Sequence, residues 1–572
     1  MKRCEGVRPN ESMRGDWNSA REKVVKQIGI GPIVFALGVV LLWAARAEAS
    51  VNLPLHHWTY EAIDRLVAMG LVNDAMVVSK PYSRKQAARY VARVMERIEG
   101  ASDSMEDQRA LADPLLERLI GEFRHELAGL GAVPAVPGSS SSWFHYGGRA
   151  QLEADAFSVG HGGSGLGVRF RENRGGEYYA NGEQVQSDFR GWFEIGDYLT
   201  VVAQPKYISN SYALGQGATN NVHNAYMREL NVKLSVGNIA LEIGRGTQWW
   251  GPGYRGSLLL TDQSFPLDMI KLGSEEPFRL PWVLRDLGEW KINSFLTQLE
   301  RDRDSPRAKV FGLRINYLPT SWLELGLSRL TQFDGRARPN QSFPKTVINA
   351  YGNAPNALGT NDVNEQVMID FKASIPHTGS WMPFPSGMQV YGEIGSEDKW
   401  SKFPLSTTAG LLGGVYIPQL FAGDSMDLRF EYADTDWGRR MAGDRHSAQW
   451  YNNATYASGM RYRGQPLGHW VGTDGIDYFL RTTRHLRDDI QLGVNWDHSL
   501  RGRGNPVSEK KQEAGVDVTW WLTKQFQLTV AYAYQRIENP GQITSINPFQ
   551  ETFQSGLISN NNYFWTNFAF EF

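Results

Sequence analysis

The chain has 572 residues, 41% hydrophobic and 21% charged, with 59 Lys and Arg against 61 Asp and Glu. That balance leaves no basic footprint for nucleic acid, and a mean hydropathy of −0.40 excludes a helical membrane bundle. With 19 Trp, 23 Tyr and 26 Phe the chain is too aromatic to be disordered, and it is too long for one ordinary domain, which leaves several domains or one large barrel.

The first element is an apolar run, Ile28 to Ala45, preceded by Arg21, Lys23 and Lys26 and followed by Ala47-Glu48-Ala49. A charged start, an apolar middle and small residues at a cut predict a secretory signal peptide over residues 1–49, cleaved after Ala49. Cys4 lies too far from that cut to carry a lipid. Cleavage leaves 523 residues with no cysteine, so an exported chain would rely on ladder hydrogen bonds and burial instead of disulfides.

Residues 50–130 read as a helical domain at the periplasmic side. Trp58, Ala62, Ile63, Leu66 and Met69 form one stripe of helical period. Ser83-Arg84-Lys85-Gln86 reads as a capping box opening a second helix through Ala87, Tyr90, Val91, Val94 and Ile98. A third lies within Ser104 to Leu130, with a break expected at Asp113-Pro114. Residues 131–142 have linker composition.

From residue 143 to 572 the period becomes two. Met426, Leu428, Phe430 and Tyr432 alternate with Asp427, Arg429 and Glu431; Leu230, Val232, Leu234 and Val236 alternate with Glu229, Asn231, Lys233 and Ser235. More than a dozen such strands would need a second layer to cover a dry face, unless they close in lipid with every backbone group paired internally. Phe568, Phe570 and Phe572 on one side of the last strand resemble the signal read by the bacterial barrel-assembly machinery. The fold expected is therefore mainly β, a large antiparallel transmembrane β-barrel in outer-membrane lipid. About 16 strands can be marked, and the segment has room for 16 to 18. Trp520, Trp521, Tyr532 and Tyr534 are expected in its interfacial girdles. Gly246 to Trp290, Gln332 to Asn361 and Asp434 to Gly472 are expected as long loops.

Two blocks carry the functional reading. One is Gly244-Arg245-Gly246-Thr247-Gln248-Trp249-Trp250-Gly251-Pro252-Gly253-Tyr254-Arg255; the other runs Gly459-Met460-Arg461-Tyr462-Arg463-Gly464-Gln465-Pro466-Leu467-Gly468-His469, with Asp474 after it. Sugar rings stack their C–H faces on aromatics and bond their hydroxyls to Arg, Gln, Asn and Asp. Arg245, Gln248, Trp249, Trp250, Tyr254, Arg255, Tyr462, Arg463, His469 and Asp474 offer both kinds of contact and are the expected polysaccharide-binding residues. The alternative for Trp249 and Trp250 is packing, with the glycines serving the turn.

Together with Pro54 to Leu71, these blocks resemble the capsule-assembly Wzi family of outer-membrane proteins. The resemblance implies a barrel of roughly 18 strands with a helical bundle at its periplasmic end. It also implies a lectin-like role in attaching capsular or exopolysaccharide, with periplasmic export components as further partners. Pro54 to Leu71 with Ser83 to Ala88 also resembles a single S-layer-homology repeat, which would instead imply a wall-tethered porin.

Glu229, Lys233, Glu242, Arg314, Asp370, Lys372, Glu393, Asp427, Arg429 and Glu431 should face the lumen, and their mixed signs suit pairing across a filled barrel better than an ion-selective ring. No Gly-x-Ser-x-Gly, His-Glu-x-x-His or mature cysteine is present, so no enzyme, cofactor or metal is expected. His56 and His57 read as polar residues flanking a helix, and Asp488-Asp489 as solvated.

Overall fold

The structure is a computed structural model. It describes residues 49–572 except 101–105, 135–142, 161–168, 171, 180–181, 213–220, 337, 339–362, 377, 381, 385, 398–406, 443–449 and 543–551. The expected signal segment up to residue 48, most of the expected linker and most of the loop Gln332 to Asn361 thus lie outside the described residues.

Among the described residues four helices come first: α1 (Thr59–Ala68), α2 (Arg84–Glu99), α3 (Glu106–Glu122) and α4 (Arg124–Gly129). The apolar stripe of α1 and its counterparts on α2 and α3 meet in one core that includes Ile63, Leu66, Tyr90, Val91, Val94, Leu115, Leu119 and Phe123. Ser83 caps α2 by accepting from the Gln86 amide at 3.1 Å. Only half of the expected capping box forms, because the Gln86 side chain bonds Tyr90 and accepts from the barrel's Lys291 at 2.6 Å. The break expected at Asp113-Pro114 is absent: α3 runs through Pro114 and the chain breaks instead at Phe123. Proline at mid-helix forfeits one backbone bond, and burial of Ala112, Leu115, Leu116 and Leu119 outweighs that loss.

Eighteen strands then close a barrel. They are β1 (Phe144–Val159), β2 (Gly182–Ile195), β3 (Leu199–Tyr212), β4 (Asn221–Val236), β5 (Ile239–Gly246), β6 (Leu267–Ser274), β7 (Glu289–Gln298), β8 (Lys309–Thr320) and β9 (Leu323–Phe333). There follow β10 (Asn364–Pro376), β11 (Gly387–Glu397), β12 (Ala409–Ile417), β13 (Leu428–Asp434), β14 (Ile476–Arg487), β15 (Ile490–Arg501), β16 (Glu509–Trp521), β17 (Phe526–Glu538) and β18 (Ile558–Glu571). Each pairs antiparallel with its chain neighbours, and β18 returns to β1 through Arg149 opposite Glu571 to Val159 opposite Asn561, so no edge is left in the hydrocarbon. The expected loop Gly246 to Trp290 is interrupted by β6, whose Met269, Ile270, Lys271 and Leu272 alternate as a wall strand should.

Alternation places Leu230, Val232, Leu234, Ile243, Ile270, Leu272, Val494, Val516 and Val518 on the lipid face, all exposed to the surroundings of the barrel. Short turns at 196–198, 237–238, 321–322, 488–489 and 522–525 mark the periplasmic end, ringed by exposed Tyr146, Tyr198, Trp282, Trp322 and Trp520. Trp521 is not in that girdle: the residue after an outward tryptophan must point inward, and its ring meets Trp58 and Arg118 inside. The helical domain covers this end, with Lys524 on Glu117 at 3.2 Å and Arg65 donating to the Ser425 carbonyl.

Candidate functional site

Every charge expected in the lumen is there, and most are paired. Arg314 forks onto Asp370, Arg190 meets Glu229 at 2.8 Å, Lys233 meets Glu275 at 2.8 Å, and Lys271 meets Glu242 at 3.3 Å. Asp64 of α1 receives both Lys372 and Arg429, which overcome its burial and hold its carboxyl well below the usual range. His56 and His57, expected only as polar residues flanking a helix, are part of this network: His56 lies 2.9 Å from Asp262 and His57 lies 3.0 Å from Glu571.

Glu393 and Glu431 do something different. They project from β11 and β13 toward the loop after β5, and their partners are backbone amides. Glu393 accepts from Gly253 N at 3.2 Å, Leu258 N at 2.7 Å and the Ser257 hydroxyl at 3.1 Å. Glu431 accepts from Tyr254 N at 2.6 Å, Arg255 N at 2.8 Å and the Tyr391 hydroxyl at 2.9 Å. Residues 251–258 therefore cross the lumen as a plug, with their donors satisfied by two buried carboxylates.

The glycines of the first motif are explained by that crossing. Gly251 has φ +139°, and a Cβ there would sit 2.2 Å from the Glu393 carboxylate; a Cβ on Gly256 would sit 2.3 Å from the His469 ring. Beneath the plug, Trp249 and Trp250 pair antiparallel with Lys80 and Ser79 of the N-terminal segment, so strands from opposite ends of the molecule meet inside the barrel.

The second motif clamps the first. The Tyr451 hydroxyl donates to the Leu258 carbonyl at 2.6 Å and accepts from His469 N at 2.6 Å. Thr261 N donates to the Leu467 carbonyl at 2.8 Å, and Gln263 bonds Gln465 at 2.8 Å. Trp250, Leu258, Leu259, Leu260, Tyr451, Tyr462 and Leu467 belong to one buried cluster.

The expected binding residues thus fall into three places. Gln248, Trp249, Trp250 and His469 are buried, and Trp250, only 1% exposed against Phe295, presents no face to a polymer. Tyr254 and Arg255 anchor the plug: Tyr254 donates to Glu61 at 2.8 Å, and Arg255 bonds Asp497 at 3.0 Å beneath Trp470 and Phe479. Burial opposes the charge on neighbouring Glu172, but Lys511 and Arg255 outweigh it and bring that carboxyl down to about 2. Arg245 lies outside the wall at the long-loop rim, bonded to Asp268 at 2.7 Å. Arg463 covers Phe265 from the loop side, with Tyr462 buried beneath it. Asp474 belongs to a separate rim cluster with Arg439 and Gly504, where burial raises its carboxyl to about 6.

Beside the plug remains a cavity of about 580 Å³, bounded by the N-terminal segment, Tyr254 and the inner faces of β1 to β5 and β12 to β18. Sequence reasoning passed over its wall on β15 to β18, because single Thr, Gln and Asn at inward positions form no motif; the alternation that revealed the strands was the available signal. Among the described residues His57, Glu122 and Glu571 are spaced for a cation. Arg84 already bonds Glu122 at 2.5 Å and Arg149 bonds Glu571 at 3.1 Å, so the charge of that trio is balanced.

Residues 155–545 match the capsule assembly protein Wzi family. The chain belongs to that family. It is 30% identical over 196 residues to an uncharacterized 55.8 kDa protein in the cps region of Klebsiella pneumoniae, an alignment covering 34% of this chain and 37% of that protein. The match thus spans little more than a third of that relative's length. Among solved structures it is similar to Wzi of Escherichia coli, an outer-membrane protein involved in group 1 capsule assembly and described as a carbohydrate-binding β-barrel. That likeness has a TM-score of 0.62 at 18% identity and covers 90% of this chain and 99% of the other. The shared fold is the outer-membrane β-barrel of the Wzi family.

Proposed function

We propose that this barrel is a non-enzymatic, lectin-like protein that binds capsular or exopolysaccharide and supports its attachment at the cell surface after export through a cleaved signal peptide. The observation that carries the reading is a Wzi-family barrel whose lumen is crossed by residues 251–258 and covered beneath by helices. Such a barrel is built to hold a surface, not to pass solutes. At the long-loop rim, Arg245 and Arg463 are the expected residues with access to a polymer, whereas Asp474 is buried in its cluster with Arg439. Gln248, Trp249, Trp250, Tyr254, Arg255, Tyr462 and His469 serve by fixing the loops that display them. Weak contacts repeated along a repetitive polymer would give avidity without a deep site. Deleting the gene and measuring polymer on cells and in the medium tests the role: polymer should move from cells to medium, and unchanged cell-associated polymer would refute it.

A further inference from the structure

We propose a glycan-binding wall inside the lumen, on the inner faces of β15 to β18, that holds a short, hydroxyl-rich oligosaccharide segment. It rests on the polysaccharide-binding reading and gives it a second site apart from the rim.

The argument is one of register. Gln491 lies opposite Thr519, Thr519 opposite Thr529, and Thr529 opposite Asn567. Four adjacent strands thus place four neutral hydrogen-bonding side chains in one row around the barrel, spanning roughly 14 Å at about 4.8 Å per strand. One row toward the periplasm stands Trp521, opposite Gln527; one row the other way stands Trp565, opposite Ala531. Each tryptophan is displaced by two residues, roughly 7 Å, along its strand from the polar row and points to the same side.

All four row residues and both tryptophans line the 580 Å³ cavity and are half-buried, which leaves them reachable from it. The volume falls within the roughly 300–1,000 Å³ of ordinary small-molecule sites. Ala531 on this wall has a small side chain, so the space in front of the row is kept clear. The chemistry contrasts with the plug side of the lumen, where carboxylates and guanidinium groups neutralise one another. Here Asp517 on the wall is bonded to Arg481 at 2.7 Å, and Glu153 of β1, opposite Asn567, accepts from the Gln186 amide at 3.2 Å. Hydroxyl and amide groups that both donate and accept, flanked by indole faces, match sugar hydroxyls and the C–H faces of sugar rings.

The test uses the full-length protein in detergent and oligosaccharides released by partial hydrolysis of the producing strain's own surface polysaccharide. Binding is measured by calorimetry on wild type, Trp565→Ala, Ala531→Phe, and the double variant Thr529→Val with Asn567→Leu, each checked for barrel folding by heat-dependent gel mobility. The wall variants should weaken binding at least about tenfold while Arg463→Ala at the rim weakens it less. Wild-type affinity in the wall variants that fold would overturn the lumenal site and leave the polysaccharide reading standing. No binding by wild type would overturn both. The isosteric double variant keeps the test decisive should loss of the indole disturb the barrel.

Discussion

Glu393 shows how much a single side chain settles here. It is a buried carboxylate whose partners are the plug's own donors: two amides and a hydroxyl. In Glu393→Leu those donors lose their acceptor, and each stranded donor costs about 1–3 kcal/mol. The barrel ladder does not depend on them, so the variant should assemble normally while the plug leaves the lumen. Trypsin should then cut after Arg255, which the wild type should protect because the side chain is bonded to Asp497; protection in the variant too would show that the plug is held by other contacts. His469 adds a pH dependence. Burial, and then the charge of Arg255, bring its imidazole from 6.5 down to about 3. A freed loop would take up a proton below 6.5 and the packed one would not, so His469 contributes stability above that pH that is lost as the pH falls toward 3. The slope gives roughly 2 kcal/mol between pH 6.5 and 5. Conductance in planar bilayers should rise over that interval for wild type and stay flat for His469→Gln.

Elements differed in how far their residues announced them. Strands with one wet and one greasy side, such as β13 and β15, were legible because the period itself encodes the two environments. The girdle place expected for Trp521 failed by one residue of parity, which reverses a side chain's surroundings completely. The first motif was legible as a sharp turn but not as a plug, because what it turns toward is supplied by Glu393 and Glu431 more than a hundred residues later. The same holds for His56 and His57, whose partners Asp262 and Glu571 are distant in sequence. In the helical domain, Arg84 joins α2 to α3 and α4 by bonding Glu122 and Glu126, each at 2.5 Å. Burial pushes the Glu122 carboxyl up against the opposing pull of Arg84. Arg84→Met would leave the buried Glu126 without its partner, at a cost of about 3–5 kcal/mol. Hydrogen exchange should quicken across 84–129 and remain unchanged in β1 to β18; uniform exchange would mean that the domain and barrel unfold together.

At the scale of the whole molecule, the lumen is entered from both ends by parts that hold each other. The plug descends from the long-loop end, the segment 49–80 rises from the periplasmic end, and they pair at Trp249 with Lys80 and Trp250 with Ser79. Neither is an independent gate. Replacing 251–258 with a glycine–serine linker leaves the helices in place, and removing 49–134 leaves a plug that has lost its lower strand but keeps Glu393, Glu431 and Tyr451. Contacts shared in this way are not additive. Wild type should therefore show no steady large openings, each single variant small and noisy ones, and the double variant a steady conductance of the size an emptied 18-strand barrel allows. Steady porin-like openings in wild type would remove the physical basis for a binding barrel and favour a tethered porin instead. Openings as large in either single variant as in the double would show that the two segments close the lumen independently.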